Sequence, residues 1–469
     1  MIAGLQPYPE YKESGLPWLR QMPTHWGIKR GKSVFQSIDQ RSATGKEELL
    51  TVSSARGVVP RRTASVTMFK AESYLGYKLC WPGDLVINSL WAWGGGLGVS
   101  RHHGIISSAY GVYRIRSGAP LIPDYVHELV RSSAFHWELQ VRSKGVWISR
   151  LQLTDISFLD APIPLPPPEE QAAMVRFLDY ANGRLERAVQ AKRKVIALLH
   201  EQKQAIIHRA VTRGLDPTIP LKPSGIPWLG DIPEHWELWR ISRFARIGNG
   251  STPSRGKPTY WNGGTYPWLN SSQVNRGFIN SADQFVTQTA LRECHLPKVP
   301  VGSVLVAITG QGKTRGMSAV LGMEATINQH IAFITPRVPV ASAEFIHLAL
   351  SAAYLQLRAS SEDSGSTKGA ITCEDLKRFK IAIPPSPEQE ALVRHIQTET
   401  RTLTTALTHL EREIELLREY RTRLVADVVT GKLDVRPAAR QLPAEGGEQP
   451  GDLSERADES GLSDEMPPE

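Results

Sequence analysis

From Ile396 the apolar positions advance in alternating steps of three and four: Ile396, Leu403, Leu407, Leu410, Ile414, Leu417, Leu424 and Val428. Thr400 and Arg421 fill the two polar places in that series. Such steps keep one stripe on one face of a helix and make the seam of a coiled coil. The same series stands 218 residues earlier, as Leu178, Asn182, Leu185, Val189, Lys192, Ile196, Leu199, Lys203, Ile206 and Ala210. The pattern predicts helices within 166–213 and 385–432, each of about 43 residues and so roughly 65 Å long. Two such helices in one chain pair most simply with each other. A folded block lies between the end of one and the start of the next, so antiparallel pairing is expected.

Outside the helices the pattern changes period. DLVINSL (84–90), YGVYRI (110–115), SVLVAIT (303–309) and HIAFIT (330–335) are short strand-like runs bounded by Gly, Pro, Asn and Ser. They fall in two blocks, 1–165 and 214–384. The expected fold is α+β, with a mixed, β-rich domain followed by a long helix, the whole written twice.

The duplication is explicit in the residues. SGLPWLRQMPTHW (14–26) and SGIPWLGDIPEHW (224–236) are identical at eight of thirteen positions. PIPLPPPEEQ ending at Gln171 matches IAIPPSPEQ ending at Gln389, and AVTRGLD (210–216) matches VVTGKLD (428–434). Trp18, Trp26, Trp228 and Trp236 recur at equivalent places, which suits packing. Glu169 and Pro387 stand where the first turn of a helix favours an acid or a proline. Between the shared ends the blocks diverge, as two readers of different targets on one frame would.

Charge sharpens this picture. The net charge is +8, but from Pro437 onward nine acids face two arginines, leaving +15 on the first 436 residues. A basic body suits a polyanion such as nucleic acid. The acidic segment 437–469, rich in Glu, Ser, Gly and Pro, is expected to be disordered. Cys80, Cys294 and Cys373 are far apart, which argues for a reducing compartment, the cytoplasm, and against a zinc or disulfide framework. No apolar run reaches membrane-helix length.

The divergent stretches are polar, basic and aromatic. In the first block the candidate DNA-contacting residues are Ser54, Arg56, Arg61, Arg62, Trp91, Trp93, Arg142 and Lys144. In the second they are Arg255, Lys257, Tyr260, Ser271, Gln273, Asn275, Arg276, Gln311, Lys313, Thr314, Arg315 and Lys368. Arg and Lys grip phosphates or the acceptor edge of guanine, and Asn and Gln pair with adenine.

The order of motifs resembles the DNA-specificity subunit of a type I restriction–modification system (the HsdS family). The resemblance rests on the duplicated block and on helices opened by Pro167-Pro168-Glu169-Glu170-Gln171 and Pro384-Pro385-Ser386-Pro387-Glu388-Gln389. The shared P-W-L…P-x-H-W segments add to it, as do Gly83-Asp84-Leu85-Val86, Gly302-Ser303-Val304-Leu305 and Asn328-Gln329-His330-Ile331, and together these cover about 10–436. It implies that each recognition domain reads one half of a bipartite site in double-stranded DNA, with the coiled coil setting the spacer. It also implies partners. Two modification subunits, which bind S-adenosylmethionine and methylate a flipped adenine, dock on the helices. Restriction subunits using ATP and magnesium join them.

Two other readings compete. Residues 304–316, VLVAITGQGKTRG, end in Gly312-Lys313-Thr314 like a nucleotide-binding P-loop, but Ala307 occupies the place of its first glycine. A coiled-coil scaffold without a DNA role accounts for the helices but not for two dissimilar basic blocks. No methyltransferase motif, metal-ligand cluster or catalytic triad stands out, so the expectation is a non-catalytic targeting subunit without a cofactor of its own.

Overall fold

A computed structural model describes residues 5–64, 72–145, 151–310, 312–337, 340–362 and 369–443. The long helices run Pro168–Arg213 and Ser386–Val429. Two compact units form, one from residues 1–192 with 412–469 and the other from 193–411, so each unit holds part of both helices.

The first unit is built on an antiparallel sheet in the order Phe35–Ser37, Gly111–Ile115, Leu85–Ile87, Leu97–Val99. The second repeats that order as Ala245–Asn249, Ile331–Pro336, Val304–Ala307, Ser318–Leu321 and adds Phe278–Ile279 in parallel at the edge. Leu85–Ile87 and Val304–Ala307 are buried at every position, which explains their unbroken apolar runs. Helix Pro123–Arg131 buries Tyr125, Val126, Leu129 and Val130; its counterpart Ala343–Ala352 buries Phe345, Ile346, Ala349 and Leu350. This spacing of three and four is the apolar stripe of a surface helix. Trp26 and Trp236 are fully buried, and Trp18 and Trp228 pack against the cores.

The two repeated motifs meet in each unit. In the first, Glu170 accepts from Trp26 Nε1 (2.9 Å) and lies 2.7 Å from His25 Nε2. In the second, Glu388 accepts from Trp236 Nε1 (3.0 Å) and lies 2.8 Å from His235 Nε2. The neighbouring glutamines tie the domain to the helix start. Gln171 accepts from Ile122 N and donates to the Pro120 and Pro166 carbonyls. Gln389 accepts from Ser342 N and donates to the Val340 and Pro384 carbonyls. The E-Q pair is therefore an anchor between each helix and its own domain.

The helices pair antiparallel within each unit. In the first unit Glu186 faces Arg421 and Lys192 faces Glu413, so the partner number falls as the position rises. In the second, Lys203 donates to Thr404 while Ile207, Ala210 and Val211 cluster with Leu392 and Ile396. Every predicted seam position is buried or half-buried except Arg421.

One expected boundary changes. Arg436–Gln441 is a helix with Ala439 buried in the first unit's core, so the segment expected to be disordered from 437 begins with folded residues. Asp434 N donates to the Gln6 carbonyl and Arg436 pairs with Glu170 at 2.8 Å. The buried Ala439 supplies an apolar contact that the acidic composition of the whole segment hid. Residues 444–469 lie outside the described residues.

Candidate nucleic-acid interface

In the first unit, strands Leu50–Ser53 and Gly57–Pro60 form a hairpin whose tip carries Ser54 and Arg56. Arg131, from the helix behind it, donates to the carbonyls of Ser54 (2.8 Å), Ala55 (2.9 Å) and Leu97 (2.8 Å). Burial pushes the neighbouring His127 down to about 4, and its Nδ1 accepts from Val99 N. A neutral imidazole and a guanidinium thus brace the hairpin from below. Arg56 donates to the Thr63 carbonyl, and the exposed Arg62 pairs with Glu48 at 3.0 Å. Arg61 follows in a short turn and is half-buried.

Trp91 and Trp93 pack ring to ring at 4.7 Å and are both half-buried. A Cβ at Gly94 would lie 2.6 Å from the Trp91 ring, so the glycines let the chain wrap the indole. Arg142 is held by Glu138 and Asp160, whereas Lys144 is exposed.

In the second unit the candidates separate by charge. Lys257 is raised by its bond to Glu293 and by Tyr260, and Glu293 is lowered in return. Tyr260 is buried and donates to Glu293. Arg276 pairs with Asp283, which also accepts from the buried Gln273. Ser271 is half-buried and Asn275 exposed in the same short helical segment. Arg315 is buried and donates to the Gly369 carbonyl, which gives its side chain a loop-holding position rather than a DNA-facing one. Gln311 and Lys368 lie outside the described residues. Among the described residues, no carboxylate pairs with Arg255, Lys313 or Lys144.

The Gly312-Lys313-Thr314 loop leaves strand Val304–Ala307 and returns as strand Ser318–Leu321. No helix follows Thr314, which is half-buried, so the loop lacks the helix N-terminus that a nucleotide-binding loop supplies to phosphates. Its carbonyls are held instead. Tyr354 OH donates to Lys313 O at 2.6 Å, and Arg358 donates to Gly312 O at 2.7 Å. This turns the exposed Lys313 side chain outward on a braced loop.

Beside that loop lies a polar row absent from the sequence-derived candidates. Thr252 donates to Gln329 Oε1 at 2.5 Å, Gln329 Nε2 lies 3.1 Å from His330 Nε2, and His330 Nδ1 lies 2.6 Å from Thr309 Oγ1. Gln329 and His330 are exposed at the mouth of the central strands. The Asn328–Ile331 motif was the available signal. In the first unit the corresponding loop carries Ser107, Ser108, Ala109 and Tyr110. No group of His, Cys, Asp and Glu able to hold a metal forms among the described residues, and no helix is long and apolar enough to cross a membrane.

The comparisons with known proteins converge. Residues 233–417 match the family model "Type I restriction modification DNA specificity domain". The EcoR124I/EcoR124II specificity subunit of Escherichia coli is 27% identical over 282 residues, covering 58% of this chain and 62% of that subunit. The MjaIX specificity subunit of Methanocaldococcus jannaschii is 27% identical over 167 residues, covering 35% of this chain and 38% of that subunit. The chain thus spans less than two thirds of the length of these relatives. A solved structure describing complex assembly and conformational transition of the type I R-M system has the same fold. It superposes with a TM-score of 0.58 at 19% identity, covering 87% of this chain and 98% of the other. In its second block the chain matches the type I restriction–modification DNA-specificity domain, and in sequence and fold it is similar to type I specificity subunits.

Proposed function

We propose that this chain is the non-catalytic DNA-specificity subunit of a type I restriction–modification complex. Each unit reads one half of a bipartite site in double-stranded DNA. The paired helices set the unread spacer and dock two modification subunits, which carry S-adenosylmethionine; restriction subunits carry ATP and magnesium. The observation that carries this reading is the contrast between frame and loops. The Glu170 and Glu388 anchors are built alike, whereas the loops that join equivalent strands, at Trp91 and Trp93 in one unit and at Lys313 in the other, share neither sequence nor support. A frame kept constant beneath changed surfaces suits two different targets. It does not suit a plain coiled-coil scaffold.

The test is to exchange residues 240–380 for the matching block of a relative and map methylated adenines in the host. One half of the recognition sequence changes and the other stays. An unchanged sequence refutes the proposal. Deleting one heptad from both helices alters the spacer or abolishes activity, and full activity at the original spacer refutes the spacer role.

A further inference from the structure

We infer that Arg255 reads a guanine in the half-site of the second unit, its guanidinium set in advance by two tryptophans and a glutamine. The inference rests on the proposed DNA-reading role and adds the base and the residue.

Arg255 lies on the segment between strands Ala245–Asn249 and Tyr266–Leu269, within the divergent part of the second block. Its guanidinium sits 3.8 Å from the Trp261 ring centroid and 5.1 Å from that of Trp268. Its NH2 group donates to Gln284 Oε1 at 2.7 Å. The same indoles fix the backbone beneath it, since Trp261 Nε1 donates to Ser254 O (3.1 Å) and Trp268 Nε1 to Ser251 O (3.2 Å). Side chain and backbone are therefore braced by one aromatic pair, which rests on the small core of Tyr260, Val286, Ala290 and Leu291.

Charge distinguishes Arg255 from its neighbours. Lys257 and Arg276 spend their charge on Glu293 and Asp283, whereas Arg255 is exposed and, among the described residues, faces no carboxylate. One donor is committed to Gln284, which leaves the fork of the guanidinium to an outside acceptor pair. Guanine offers two such acceptors, O6 and N7, on its major-groove edge, and a planar fork matches them where an ammonium does not. Holding a long side chain in place beforehand lowers the ordering cost of binding. The position also suits a duplex. Thr252, three residues before Arg255, bonds to Gln329, and that polar row leads through Thr309 to the loop carrying Lys313.

The experiment selects binding sequences from randomised duplex DNA with the full-length chain, comparing wild type, Arg255→Lys, Arg255→Ala, Trp261→Leu and the exchange of residues 240–380. Arg255→Lys keeps the charge and loses the fork. It is expected to relax one guanine position in one half-site by roughly 5- to 100-fold, leaving the other half-site and the spacer unchanged. Trp261→Leu relaxes the same position less. Urea unfolding of each variant confirms that the fold is kept. If both Arg255 variants retain every position, or lose affinity equally on all sequences as a phosphate contact does, the inference falls. If the block exchange also leaves both half-sites unchanged, the DNA-reading role itself falls.

Discussion

The anchors of the two units use the same residues in different surroundings. Glu170 is 5% exposed at its side chain and receives Tyr8 and Arg436 in addition to His25 and Trp26. Glu388 is 23% exposed and receives only the histidine and the tryptophan among the described residues. The extra partners of Glu170 come from both ends of the described chain, tied by Asp434 N to Gln6 O. In the second unit the segment joining the first helix to the P-W-L motif is continuous. An identical motif thus holds more partners where two segments far apart in sequence, around Tyr8 and around Arg436, meet at one buried carboxylate.

The largest expected effect tests that difference. Glu170→Ala leaves the buried Trp26 indole N–H and the Tyr8 hydroxyl without their acceptor, while the half-buried Arg436 keeps Asp434, and destabilises the first unit by about 2–4 kcal/mol. Glu388→Ala costs the second unit about 1–3 kcal/mol, because water reaches the site. Hydrogen exchange resolved by peptide reports each unit separately. Equal losses remove the asymmetry.

A second prediction concerns acid, where the units should behave alike. His127 and His347 are both pushed down to about 4, chiefly by burial, with cations nearby adding to the effect. Each binds its proton more readily in the unfolded chain, so its contribution is complete above about pH 6.5 and fades as pH falls toward 4. The loss approaches about 3 kcal/mol per histidine. His127→Gln and His347→Gln should each flatten the acid limb of urea unfolding for their own unit.

The loop supports differ in kind, and their removal should differ in place. Arg131→Met releases the carbonyls of Ser54, Ala55 and Leu97 and costs the first unit about 1–3 kcal/mol. Arg358→Met frees the more exposed loop of the second unit and costs it about 1 kcal/mol. Faster exchange confined to 50–60 or to 310–317 would confirm each assignment. The smallest effect is expected from Lys313→Ala. It should weaken duplex binding evenly across sequences and reduce the slope of log affinity against log salt by about 0.9.

The heptad seam, the duplication and the central strands were legible because each is a local pattern repeated along the chain. The seam from Leu178 to Ala210 and from Ile396 to Val428 coincides with the least exposed faces of the helices. The E-Q and H-W motifs were visible as repeats, but their meaning was not. Glu170 and Trp26 stand 144 residues apart, and only folding brings them to 2.9 Å.

The candidate site was less legible. Sequence singled out Arg315, Arg276, Lys257 and Arg255 by the same criterion, charge in a divergent loop. Three of them are committed within the protein, to Gly369, Asp283 and Glu293, and only Arg255 is held outward on tryptophan faces. Gln329 and His330 were seen as a motif and not as a surface, since their partners Thr252 and Thr309 lie 77 and 21 residues away. By itself the sequence determined the periodicities, the two copies and the balance of charge, because these depend on residues that are neighbours in the chain. Only the tertiary structure decided which cations keep their charge for a partner. Neutralisation depends on distances of a few ångströms between residues that the chain keeps far apart.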